Sequence, residues 1–390
     1  MFLARSTDSG RTFTTTFVYQ PQEANPKTLN NRRAMLALDP KDSSKIYVSW
    51  LQTLTGEKSR AMVAASSDGG KTFKPPIDLA EAEPQGGFQP RPAVTPDGVV
   101  HAVYPGGGFI PPVPAGQPAP DPLVRPVFYH RSADGGATWT APVQIDQGGA
   151  AFFHNRKHIL AADPSSGALY LVWYGHPQTR PAPDEDADIY LRVSRDGGKT
   201  WSDRVTVNDD ASLPKIMHYD PGISIAPNGR VDIAWYDFRN SPIPEQVPPS
   251  FAAPFNYGGF QDVYFASSTD GGRTFSDNVR ITDRIIDRNI GVWSNNVHSH
   301  YNVGITSTNG AVYFAWQDTR NGNSVTNSED IYFTSLRFRA GDVADSGSGD
   351  VPAWVVAGAS GAIGMGIAML IALAVSRRRS AAGAAVPARF

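Results

Sequence analysis

Arginine, histidine, tyrosine and aspartate recur in this 390-residue chain at the heads of successive β-rich segments. They stand at Arg32 and Arg33; Arg91; Arg156, Lys157 and His158; His218, Tyr219 and Asp220; and His298, His300 and Tyr301. A guanidinium grips a carboxylate through two parallel hydrogen bonds, while imidazoles and phenols donate to hydroxyls. Gathered at one place, such groups suit an anionic or polyhydroxylated ligand, with a sugar as the leading class. The candidate ligand-binding residues are therefore Arg33, Arg91, Arg156, His158, His218 and His300, and the candidate catalytic groups are Tyr219, Tyr301 and Asp220. Asp237 with Arg239, and Asp318 with Arg320, recur at the same place in successive segments and read as ion pairs that tie the scaffold together.

What positions these groups is a repeat. Five copies of Ser-x-Asp-x-Gly-x-Thr-(Phe/Trp) start at Ser6, Ser66, Ser132, Ser194 and Ser268, 60 to 74 residues apart. Regular spacing of this order marks one supersecondary unit repeated with variable loops. Within the phrase, the carboxylates of Asp8, Asp68, Asp134, Asp196 and Asp270 can accept backbone N–H groups just ahead, while glycine takes the positive φ that other residues resist. Each copy lies between β-rich runs, such as Ile189-Tyr190-Leu191 and Val205-Thr206-Val207, so it is expected to be a hairpin turn with its aromatic anchored in apolar packing. Upstream of each copy after the first, and in the sixth repeat, sits a second strand pair ending on Trp50, Tyr104, Trp173, Trp235 or Trp316, joined by turns such as Ala226-Pro227-Asn228-Gly229. Those tryptophans read as packing between repeats.

Four antiparallel strands per repeat are the content of a propeller blade. The fold class expected is all-β: a six-bladed propeller over residues 1–339 whose first blade is incomplete, since the chain opens directly on a third strand. In the sixth repeat Leu336 stands where the phrase's serine belongs, so that turn signal is lost. In such a meander the long loops at 105–126, 177–187 and 240–261 emerge on one face with the heads of the first strands, which makes that face the expected site.

The turn phrase is similar to the Asp box of sialidases and other BNR-repeat proteins, and Trp235-Tyr236-Asp237-Phe238-Arg239 and Trp316-Gln317-Asp318-Thr319-Arg320 resemble the inner blade pattern of secreted sialidase-like propellers. The resemblance covers roughly residues 1 to 340. It implies a sialidase-type propeller whose Asp boxes lie away from the pocket, and non-catalytic propellers carry these boxes too. For a catalytic member it implies three arginines on the sialate carboxylate, an Asp acid/base and a Tyr nucleophile activated by a Glu. Arg91, in Gln89-Pro90-Arg91-Pro92, approaches the family's arginine motif without its preceding aromatic or following spacer; Arg33 and Arg156 can complete a triad. Tyr219 and Tyr301 each lack an adjoining Glu. Three functions stay open: a glycan-recognising propeller, an exo-acting glycoside hydrolase of exo-α-sialidase type, and a non-catalytic protein-interaction scaffold.

Composition narrows the partners. A formal net charge of −2 provides no basic stripe for nucleic acid, and the absence of cysteine excludes disulfides and thiolate metal sites. No cofactor or metal is implied; the acidic run at Asp184-Glu185-Asp186-Ala187-Asp188 reads as a solvated loop. After a linker at 340–350, residues 351–376 carry no charge and are followed by Arg377-Arg378-Arg379. About 20 apolar residues cross a bilayer and arginines mark its cytoplasmic side. The expectation is a single transmembrane helix over 351–376 with a short cytoplasmic tail at 377–390, the propeller facing outward, and an export signal upstream of Met1.

Overall fold

The structure, a computed structural model, describes residues 1–20, 29–107, 126–146, 158–175, 187–210, 216–241, 259–288, 290, 303–323, 325, 328–338 and 355–356. All regular elements among them are strands, arranged in six sheets in which neighbours in sequence are neighbours in space and every strand pairing is antiparallel. The first sheet pairs β1 (Phe2–Arg5) with β2 (Thr14–Phe17). The second runs β3 (Leu29–Leu38), β4 (Ile46–Leu54), β5 (Arg60–Ser66) and β6 (Ile77–Asp78). The third runs β7 (Arg91–Val94), β8 (Val100–Pro105), β9 (Val127–Ser132) and β10 (Val143–Asp146). In the fourth follow β11 (Ile159–Ala162), β12 (Leu169–Gly175), β13 (Asp188–Ser194) and β14 (Val205–Thr206). The fifth holds β15 (His218–Ile225), β16 (Val231–Asp237), β17 (Phe260–Ser268) and β18 (Val279–Arg280), with β19 (Ile286–Asp287) on the head of β17. The sixth holds β20 (Gly304–Thr308), β21 (Ala311–Asp318), β22 (Asp330–Arg337) and β23 (Val355–Val356).

The sheets stack face against face. Second strands such as β12 (LYLVWYG) and β16 (VDIAWYD) are buried along their whole length rather than on alternate residues, as expected where both faces are covered. The first strands of successive sheets, β3, β7, β11, β15 and β20, touch in series and so line a common interior. Gly222 in β15 shows how close they come: a Cβ there would lie 2.1 Å from the Val303 carbonyl oxygen. Trp50, Trp173, Trp235 and Trp316 are buried between sheets. Three of their indoles donate to fixed acceptors: Trp50 to Asn31 Oδ1 at 3.0 Å, Trp235 to Asp237 Oδ2 at 2.9 Å and Trp316 to Asp318 Oδ2 at 2.9 Å. The end sheets differ. Phe2 (64% exposed) and Phe17 (63%) in the first, and Ile331 (40%) and Phe333 (46%) in the sixth, leave apolar side chains on the faces where a further sheet would lie.

Four of the turn phrases join the third strand of a sheet to its fourth, and the first joins β1 to β2. In the fourth sheet, Ser194 Oγ donates to Asp196 Oδ1 (2.9 Å) and accepts from Gly198 N (2.8 Å). Asp196 also accepts from Lys199 N, Thr200 N and the Thr200 hydroxyl. The same serine, carboxylate, threonine and glycine pattern closes the turns at Asp8, Asp68, Asp134 and Asp270. The threonine hydroxyl is the chief cause that holds these carboxyls below the usual range. Neighbouring turns are stapled together: Arg5 donates to the Gly69 carbonyl (2.8 Å) and Arg195 to that of Gly271 (2.6 Å). Anchoring of the terminal aromatic fails in the first copy, where Phe13 is 53% exposed. Leu336 is buried within β22, which runs on without a turn of this kind.

Of the expected membrane segment only Val355 and Val356 are described, as a two-residue strand paired with β22; the rest lies outside the described residues. No described helix is long and apolar enough to cross a membrane.

Candidate functional site

Two β-bulges shape the head of the interior. The pairing of β3 with β4 slips between Arg32 and Met35, and that of β15 with β16 slips between Tyr219 and Gly222. Each bulge places a non-glycine residue in the left-handed region, Arg33 at φ 61° and Asp220 at φ 51°. Such conformations cost about 1–3 kcal/mol and persist where the surroundings impose them. A bulge re-aims the side chain it carries. Here both re-aimed side chains act on a third group, Arg91, the first residue of β7.

Arg91 is buried and makes no ion pair among the described residues. Its Nη1 rests 2.9 Å from Met35 Sδ, and its Nε has no acceptor. Burial first, and the like charge of Arg33 second, push its pKa down to about 10, against the opposing pull of Asp220. Arg33 itself is half-buried, with its guanidinium 5.2 Å above the Phe88 ring and its carbonyl accepting from Gln89 Nε2 at 2.6 Å. A guanidinium withdrawn from water without a counter-charge is an unfavourable arrangement that an incoming carboxylate relieves.

The other expected binding residues fall elsewhere. His158 is fully buried, stacked on Trp173 at 5.9 Å, with neither ring nitrogen bonded among the described residues. Burial lowers its pKa to about 3, so it sits in the packing as a neutral ring. His218 is also buried, but between acids. Its Nδ1 lies 2.7 Å from the Ala187 carbonyl, and its Nε2 lies 2.9 Å from Asp210 and 3.4 Å from Asp237. Burial pulls its pKa down, yet Asp237 and Asp210 outweigh that and raise it to about 9. The imidazolium is thereby committed to the scaffold. Asp210, Asp237 and His218 converge closely enough for a metal, but Arg239 already occupies the two carboxylates, at 2.8 Å from Asp237 and 3.3 Å from Asp210. The set fits a buried salt-bridge network better than a cation.

Arg239 also reaches Asp209 at 2.7 Å, and Arg320 repeats the pattern one sheet later, on Asp318 at 2.7 Å and Asp283 at 2.6 Å. Each arginine thus ties its own second strand to the end of the preceding sheet. Tyr219 is stacked between Tyr236 (5.4 Å) and Phe238 (5.6 Å), under the Arg288 guanidinium, and its hydroxyl donates to Gln261. Its hydroxyl thus meets a neutral amide. Arg156, His300 and Tyr301 lie outside the described residues, as do 108–125, 176–186 and 242–258 of the long loops.

Sequence reasoning missed Asp210 as the partner of His218, and missed both bulges. Pro221-Gly222 inside a strand pattern is a signal for the second bulge. Nothing local marks Arg33 or Met35.

The BNR/Asp-box repeat family matches residues 192–203, the fourth turn phrase with its flanks. No curated protein sequence matches the chain. Among solved structures, the intramolecular trans-sialidase from Ruminococcus gnavus aligns with a TM-score of 0.50 at 12% identity, over 84% of this chain and 83% of that one. The Hadza microbial sialidase Hz136 aligns at 0.49 and 16% identity, over 78% of this chain and 56% of its own length. The GH93 α-L-arabinofuranosidase of Fusarium graminearum aligns at 0.47 and 14% identity, over 80% and 77%. At such identities the likeness concerns the fold. With five Asp-box turns on a meander of stacked antiparallel sheets, the chain carries the BNR/Asp-box repeat and its fold is similar to that of sialidase β-propellers.

Proposed function

We propose that this protein recognises glycans at the head of its interior, where Arg91 with Arg33 receives the carboxylate of an acidic sugar and Asp220 accepts from its hydroxyls. The observation that carries this reading is the buried guanidinium of Arg91 without an ion-pair partner among the described residues. Burying a charge costs several kcal/mol, and a bidentate carboxylate is the ligand that offsets it most directly. Tyr219 is stacked between Tyr236 and Phe238 with its hydroxyl on the Gln261 amide, a packed setting that suits recognition; hydrolysis is the alternative that the assay below separates from it. The uncharged run at 351–376 and the arginines at 377–379 support a membrane anchor that holds the propeller outside the cytoplasm.

The test is calorimetric titration of the full chain with N-acetylneuraminic acid and its 2,3-didehydro analogue, for the natural protein and for Arg91→Met. Binding that is lost in Arg91→Met is the expected result. No heat from either sugar, or undiminished binding by the variant, refutes the assignment. Release of fluorophore from a fluorogenic sialoside by the natural protein would replace recognition with hydrolysis.

A further inference from the structure

Among the described residues, charged groups close the seams between the third and fourth, fourth and fifth, and fifth and sixth sheets, the last through Arg320 and Asp283. Between the third and fourth sheets, Arg192 and Arg204 both grip Asp146, at 3.0 and 2.9 Å through their Nε atoms. Between the fourth and fifth, Asp209 exchanges backbone and side-chain hydrogen bonds with Asn278, each of 2.9 Å, and binds Arg239. The strand registers identify the equivalent positions between the second and third sheets: Tyr190 lies opposite Trp173 as Phe128 lies opposite Tyr104, and Leu191 faces Val205 as Tyr129 faces Val143. There His130 replaces Arg192 and Pro142 replaces Arg204. Neither reaches across, and a solvent-open cleft of about 370 Å³ remains, lined by Ile77, Asp78, Leu79, Glu81, Ala82, His130, Trp139 and Thr140.

The lining is of two kinds. Trp139, Ile77, Leu79 and Ala82 provide an apolar wall. Asp78 uses Oδ1 to accept from the N–H groups of Ala61 and Ala80, both at 3.0 Å, which leaves Oδ2 without a partner among the described residues. Glu81 is exposed, and the Thr140 hydroxyl accepts from Arg131 N at 3.1 Å with its own proton unassigned. His130 is turned to the Thr140 carbonyl and the Tyr104 hydroxyl, and its burial keeps it neutral.

An indole beside free carboxylate oxygens and a hydroxyl is a surface for a pyranose ring. The sugar's C–H face lies on the aromatic wall while its hydroxyls donate to the acids. Two carboxylates repel an acidic sugar, so the ligand class differs from that of the Arg91 site. We propose that the cleft between the second and third sheets, with Asp78, Glu81 and Trp139, is a second glycan-binding site that takes a neutral pyranose residue. It stands independently of the Arg91 reading.

Saturation-transfer difference NMR on the full chain tests this, with methyl α-D-glucopyranoside, methyl α-D-mannopyranoside and methyl β-D-galactopyranoside as probes. Asp78→Asn keeps the Oδ1 acceptor, and Trp139→Phe installs the aromatic that three other turn copies carry, so both variants retain the fold. At least one pyranoside should give transfer in the natural protein, fall at least tenfold in Asp78→Asn and in Trp139→Phe, and persist in Arg91→Met. Absence of transfer from all three probes, transfer unchanged in both cleft variants, or loss in Arg91→Met overturns the proposal. Should N-acetylneuraminic acid fail to bind while a pyranoside does, only the Arg91 reading falls.

Discussion

Replacing Arg91 by methionine should stabilise the protein while abolishing carboxylate binding. The side chain is buried, finds only Met35 Sδ and no acid in ion-pair range among the described residues, and is held down to about 10 chiefly by desolvation. The displacement from the ordinary arginine value corresponds to roughly 3 kcal/mol of unfavourable environment for the charged form. A folded-state value below the unfolded one means that the unfolded chain holds the proton more tightly. The penalty is therefore present in full at every pH well below 10 and fades only as pH rises through that value. Methionine has similar length, removes the charge and keeps apolar contact with Met35, so Arg91→Met should gain about 1–3 kcal/mol after some packing is lost. Urea denaturation followed by tryptophan fluorescence between pH 6 and 9 measures this, and the gap between the two proteins should stay constant over that range. N-acetylneuraminic acid at a hundredfold excess over its dissociation constant should add about 2.7 kcal/mol to the natural protein and nothing to the variant. An Arg91→Met protein less stable than its parent by 1 kcal/mol or more would show that the guanidinium is satisfied where it lies, and the case for an anionic ligand would collapse with it.

His218 gives a pH signature of opposite sense. Its folded value of about 9 lies above the ordinary 6.5, so the stability it contributes is complete below pH 6.5 and is lost as pH rises through 9, roughly 3 kcal/mol in all. His218→Gln should flatten the alkaline limb of a stability-against-pH curve and lower its plateau; an unchanged alkaline limb would contradict the buried imidazolium. In the turn phrase, Gly197 and Gly198 both have positive φ, but an added Cβ meets nothing within 4 Å at Gly197 and would lie 1.9 Å from Tyr129 Oη at Gly198. Gly197→Ala should cost about 1–2 kcal/mol, the left-handed penalty alone. Gly198→Ala should cost at least about 2 kcal/mol more by thermal unfolding, since Tyr129 is also packed against Trp201. Equal losses would show that these turns do not staple adjacent sheets.

Much of the architecture was legible in local letters because the repeat encodes local physics. A serine, an aspartate, a glycine and a threonine within seven residues satisfy one another's hydrogen bonds, as the bonds around Asp196 show, so the turn forms wherever the phrase stands. Alternation of β-branched and aromatic residues located the strands, and the recurrence of Trp-x-Asp-x-Arg located the pairs of Asp237 with Arg239 and Asp318 with Arg320, while their further partners Asp209 and Asp283 came only with the structure. Those features depend on neighbours a few positions away or on their exact repetition.

The candidate site depended on something else. Whether a histidine at the head of a first strand meets water, a ring or two acids is set by the adjoining sheet, and so His158 became a neutral packed ring while His218 became a charged strut. Likewise, nothing in the Gln89-Pro90-Arg91-Pro92 segment states that its guanidinium is buried without an ion-pair partner among the described residues, or that Arg33 and Asp220 act on it from bulges in β3 and β15, over 50 residues away on one side and over 120 on the other. Composition and periodicity determined that the chain makes stacked four-stranded meanders stitched by carboxylate turns. Electrostatic environment is a sum over residues brought together from several sheets, and only the tertiary arrangement could decide which charges are paired, which are free, and where a ligand is wanted.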